Sequence, residues 1–136
     1  MIKHIETAGF LLTLLSFLHI AFPRYFGWKE GLRSLSLINR QMMQVHTFFI
    51  AFFVFLIGFL CWSSAADLAS TALGQKILLG LSVFWIVRLF FQLFIYSKEL
   101  WRGKRFETTV HIIFIVFWIY LSAVFFVAGS KFFYIE

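Results

Sequence analysis

Four runs of almost unbroken hydrocarbon set the options open to this chain: residues 7–22, 42–62, 76–96 and 108–129. Each reaches or approaches the roughly 20 apolar residues that an α-helix needs to cross a bilayer. The runs are continuous rather than alternating, and far longer than a barrel strand, so helices are expected. Composition agrees. Of the 136 residues, 62% are hydrophobic and 13% charged, against about 45–50% and about 25% in a soluble domain. Too few polar groups exist to cover a water-facing surface, and the bilayer is the expected partner.

The first run is short and stops at Pro23, the single proline. Lys3 precedes it as a basic residue precedes a signal peptide, yet "AFPRYFGW" offers no small-x-small cleavage site. It is read as a span. The expected fold is therefore all-α: an integral membrane four-helix bundle of up-down topology, forming one domain over residues 1–136. Cys61, the lone cysteine, excludes an internal disulfide and any Cys-rich metal framework.

Charge orients the spans. The connections at 23–41 and 97–107 hold Arg24, Lys29, Arg33, Arg40, Lys98, Arg102, Lys104 and Arg105, whereas the other side holds only Lys3, Lys76 and Lys131. The positive-inside rule places the basic connections in the cytoplasm and both termini on the non-cytoplasmic side. A net charge of +6 thus reads as membrane sidedness, with no nucleic-acid partner expected. The expected location is a cytoplasmic membrane of the bacterial inner-membrane kind. Within residues 26–39, Trp28, Leu32, Leu35 and Ile38 recur at helical spacing among basic groups, as in an amphipathic helix lying at the interface.

Against this apolar background the polar residues inside the runs stand out. His19, His46, Gln92 and His111 each fall three or four residues from a basic end. At 1.5 Å per residue this puts them about 5–6 Å below one interface. Glu107 and His111 are four apart and share a helix face, as do Arg88 and Gln92; Trp118 and Ser122 continue the His111 side. A charge near mid-membrane costs at least about 2.5–3.5 kcal/mol, so Arg88 should face the protein and find a partner. Glu107 is the expected one. His4 lies on the opposite side and reads as solvated. Met42 and Met43 read as filler rather than sulfur ligands.

A single histidine near headgroups ordinarily serves as an interfacial hydrogen-bonder. Three at one depth raise the expectation of a shared pocket for haem b or a transition metal (Fe, Zn or Cu), and with it electron transfer or metal-dependent chemistry. In the haem version His46 and His111 are axial ligands, with Arg40, Arg105 or Arg88 pairing the propionates. In the metal version His19, His46, His111 and Glu107 share one ion, with Gln92 and Arg88 in the surrounding layer. The alternative is a non-catalytic accessory subunit packed against other membrane subunits, or a homo-oligomer. No catalytic motif, phosphate-binding glycine loop or HExxH is present, so no catalytic residue is assigned. A proton or ion pathway fits less well, because only Thr13, Ser82 and Ser122 interrupt the apolar outer halves.

Overall fold

The computed structural model describes residues 1–134. The chain is 86% helical, without strands among the described residues. Helix α1 spans Ile2–Leu18. Two single turns follow, α2 (Phe22–Tyr25) and α3 (Trp28–Gly31), then α4 (Leu37–Ser63), α5 (Ala65–Ser70) and α6 (Ala72–Phe90). Helix α6 runs directly into a π turn, Phe91–Ile95. Helix α7 covers Arg105–Gly129 and ends in a 3-10 segment, Ser130–Tyr134.

The ends of these elements follow from local chemistry. Ser36 caps α4, its hydroxyl accepting from Asn39 N at 3.4 Å. Thr71 does the same for α6 through Gly74 N at 3.0 Å. Each satisfies an N–H with no partner inside its helix. Pro23 sits at the start of α2, where its missing N–H costs nothing. Gly27, between α2 and α3, has φ of 62°, a left-handed conformation that glycine adopts without strain.

Among the described residues, three helical stretches are long and apolar enough to cross a membrane: Leu37–Ser63, Ala72–Ile95 and Arg105–Tyr134. They contain the expected second and fourth spans, and the third except for Tyr96. The first expected span falls on α1, which starts five residues earlier than expected and stops at Leu18 after 17 residues. That length is at the lower limit for a crossing helix.

The chain divides into two compact units, Ile5–Ala65 and Met1–His4 with the chain from Ala66 onward. In the first unit α1 buries Ile5, Ala8, Gly9, Leu12, Leu15 and Ser16, a stripe at helical spacing. Helix α4 buries Val54, Gly58 and Cys61. The two backbones nearly touch: a Cβ on Gly9 would lie 2.6 Å from Gly58 O, and one on Gly58 would lie 2.8 Å from Gly9 O. Small residues permit this approach, which is how helices associate in lipid. Along the rest of α4, Phe48, Phe49, Phe52, Phe53 and Phe59 are exposed. Such a surface suits acyl chains and not water.

In the second unit α6 and α7 form an antiparallel hairpin. Leu78, Leu81 and Trp85 pack with Trp118, Leu121, Phe125 and Ala128 in its core. Ser82 Oγ donates to Ser122 O at 3.0 Å, an interhelical hydrogen bond in the dry middle of the hairpin. Ser122 Oγ in turn donates to Trp118 O at 2.7 Å. His4, expected to be solvated, is exposed and also lies 3.3 Å from the Tyr120 hydroxyl.

Candidate functional site

The polar stripe of α6 meets that of α7 at Arg88, Gln92 and His111. Arg88 Nη1 donates to Gln92 Oε1 at 3.2 Å. Gln92 is buried, and its Nε2 lies 2.7 Å from His111 Nδ1. Gln92 belongs to the π turn, which is closed by Tyr96 N donating to Phe91 O at 3.2 Å. Such single π turns inside helices recur at functional sites.

The chain Arg88–Gln92–His111 fixes proton positions. A guanidinium only donates, so the atom it meets must be the carbonyl oxygen of Gln92. The amide nitrogen is thereby turned to the histidine, where it donates to Nδ1. In the neutral ring the proton then resides on Nε2. His111 thus offers an N–H donor at its outer edge, not a lone pair.

Aromatic rings wall this chain. The Trp101 ring stacks on His111 with centroids 3.7 Å apart and planes 11° from parallel. Trp101 reaches that position from the connection between Ile95 and Arg105, where Gly103 adopts φ of 77° and Thr108 Oγ1 donates to Trp101 O at 2.6 Å. The Arg88 guanidinium lies 5.0 Å from the Trp118 ring centre and 5.5 Å from that of Tyr96. Trp118 stacks in turn on Trp85, 4.9 Å and 7° apart. The indole N–H groups of Trp85 and Trp118 are buried without a partner among the described residues.

Arg88 therefore takes a neutral amide and two π faces where Glu107 was expected. Among the described residues no carboxylate lies within ion-pairing distance of it; Arg33, by contrast, pairs with Glu30 at 3.0 Å on the surface. Glu107 is half-buried in the first turn of α7, where a carboxylate complements the helix dipole. Arg105 is exposed at the start of the same helix.

The remaining expected site residues belong to the Ile5–Ala65 unit. His19 Nδ1 donates to Leu15 O at 2.8 Å, and its ring lies 4.6 Å from that of Phe22. The carbonyl fixes the proton on Nδ1 and leaves a lone pair on Nε2. His46 is exposed on α4 and Arg40 is half-buried on the same helix. Among the described residues no group of three or more His, Cys, Asp or Glu side chains could hold a metal ion.

No family model, curated protein or solved structure matches the chain. Its functional reading rests on the chemistry of these residues. Of them, sequence spacing found Arg88, Gln92 and His111. It did not single out Trp101 or Tyr96, whose only advance signals were their place in the short connection and the glycine that lets it turn back.

Proposed function

We propose that the protein crosses a cytoplasmic membrane four times, with its basic connections inside and both termini outside, and serves to bind a ligand at the Arg88–Gln92–His111 site. Charge asymmetry between the connections supports the orientation. The observation that carries the binding role is the polar chain itself. A buried amide, an arginine and a histidine persist inside an apolar hairpin that leucines would pack at lower cost. The arginine lacks a carboxylate and the histidine keeps its outer N–H free. A purely structural polar cluster would close on itself; this one keeps donors to spare.

Native mass spectrometry of the detergent-released protein tests this reading. A retained small-molecule adduct that is lost in the Arg88→Met and His111→Phe variants is the expected result. A bare chain, with both variants as stable as the parent, would reduce the site to packing and favour the accessory-subunit role.

A second reading has its own support in His19. A Nδ1–H held by a carbonyl, with Nε2 left as a lone pair, is the usual preparation of a ligating imidazole. On this reading His19 binds haem b or a transition metal through Nε2. His111 is not prepared in that way, because its Nε2 carries a proton. A Soret band or stoichiometric metal in the purified protein, lost in His19→Ala, is the outcome that establishes it.

A further inference from the structure

The geometry points to an oxyanion, of the phosphate monoester or diester class, as the ligand of the Arg88–His111 site. This rests on the binding role just proposed and adds the chemistry of what is bound. The unused hydrogen-bonding capacity of the two half-exposed groups, Arg88 and His111, is all of one kind. A guanidinium has five N–H groups, and the one hydrogen bond that Arg88 gives to a side chain, on Gln92, engages a single nitrogen. His111 offers Nε2–H, because its Nδ1 accepts from Gln92. Gln92 is buried, with its oxygen turned to Arg88 and its amide nitrogen to His111, so it presents little to an incoming ligand.

Donors without acceptors define what can enter. A metal ion needs lone pairs, and here the nearest imidazole presents a proton. A cation would meet the Arg88 charge. A neutral donor such as an amine finds no acceptor on Arg88 or His111. An anion with several oxygens fits each free group, and a guanidinium matches the spacing of two phosphate oxygens. Both Arg88 and His111 are half-exposed, so a ligand can reach them, whereas the indole N–H groups of Trp85 and Trp118 are closed off. The π faces of Trp118 and Tyr96 hold the guanidinium without neutralising it. Lys98, Arg102 and Lys104 in the adjoining connection and Arg105 at the start of α7 outnumber Glu99 and Glu107 there, and the net positive charge raises the local concentration of anions.

Such an oxyanion has two sources, the headgroup of an anionic phospholipid or a soluble phosphate ester, and titration separates them. The full-length protein in phosphate-free detergent is titrated with phosphatidylglycerol, phosphatidylcholine and glycerol 3-phosphate, and bound species are counted by native mass spectrometry. One phosphatidylglycerol per chain, preferred over phosphatidylcholine, with no binding of glycerol 3-phosphate, identifies a lipid. Binding of glycerol 3-phosphate at least as tight as that of the lipid identifies a soluble ester.

In either case Arg88→Gln should weaken binding about tenfold or more, the loss of a charge-assisted hydrogen bond. Lys76→Gln, in the first turns of α6 and far along that helix from Arg88, should leave the preference among the three ligands unchanged. His111→Gln provides the test should Arg88→Gln fail to fold, and it too should weaken binding. Unchanged affinity in the folded variants, or no binding by the wild type, overturns the oxyanion assignment. A neutral adduct lost in Arg88→Met would overturn it while leaving the binding role intact; no adduct of any kind would remove both.

Discussion

Trp101 lies flat on His111, 3.7 Å between ring centres and 11° from parallel. The contact ties the connection between the last two long helices to an imidazole whose proton position is fixed by Gln92. It also covers one face of that imidazole, leaving the ring edge as the route to Nε2. Removing the indole with Trp101→Ala should cost at least about 0.5–1.5 kcal/mol, the range for an aromatic pair beyond its buried area. Thermal unfolding in detergent reads the loss. The rate at which diethyl pyrocarbonate modifies His111 should rise in the same variant, and Trp101→Phe should restore most of both. An unaltered modification rate would mean that the indole does not shield the ring.

The tautomer of His111 depends on the atom that Gln92 turns toward it. Gln92→Glu replaces a donor by an acceptor at that point. It should move the proton of the neutral ring from Nε2 to Nδ1 while giving Arg88 a carboxylate in place of an amide. Nitrogen-15 chemical shifts of the labelled imidazole distinguish the two forms directly. Wild-type protein with a protonated Nδ1 would contradict the assigned orientation of the amide.

The apolar runs and their polar interruptions made the helices and the core of the site legible in advance. Arg88 and Gln92 meet because residues four apart share a face, and His111, Trp118 and Ser122 follow one side of α7 to the hairpin interface. Hydropathy located the boundaries less well. Helix α4 starts at Leu37, because Ser36 caps a first turn containing Asn39 and Arg40, residues that lie outside any apolar run. Helix α1 likewise begins at Ile2 and carries Lys3 and Glu6 within it. In place of the expected Arg88–Glu107 pairing, Arg88 meets an amide one turn along its own helix and the Trp118 face. Trp101 was illegible for a different reason: a φ of 77° at Gly103 belongs to a loop, and no periodicity reports it.

Two glycines make a sharper stability test than any large side chain. At Gly9 a Cβ would fall 2.6 Å from Gly58 O and equally close to Trp62 N, both backbone atoms that cannot rotate away. Gly9→Ala and Gly58→Ala should therefore each destabilise the Ile5–Ala65 unit by about 1–3 kcal/mol, the usual cost of overpacking. Gly80, in the interior of α6, has nothing within 4 Å of such an atom. Gly80→Ala should instead stabilise the chain by about 0.5–1 kcal/mol through helix propensity. Unfolding midpoints of the three variants, measured side by side, check the signs. A neutral Gly9→Ala would show that the two helices do not cross so closely.

Whether α1 crosses the bilayer decides between three spans and four, and single cysteines can settle it. The native Cys61 is fully buried, so it contributes little background to labelling by a membrane-impermeant maleimide. Arg33→Cys and Arg102→Cys lie in the basic connections and should react only when the cytoplasmic face is opened. Lys131→Cys, just past the end of α7, should react from outside in intact cells. The deciding position is Ile2→Cys, at the exposed start of α1. With α1 spanning, it labels from the same side as position 131. Were α1 to lie along the membrane surface instead, position 2 would label with 33 and 102, and the N-terminal helix would join the interface rather than the bundle.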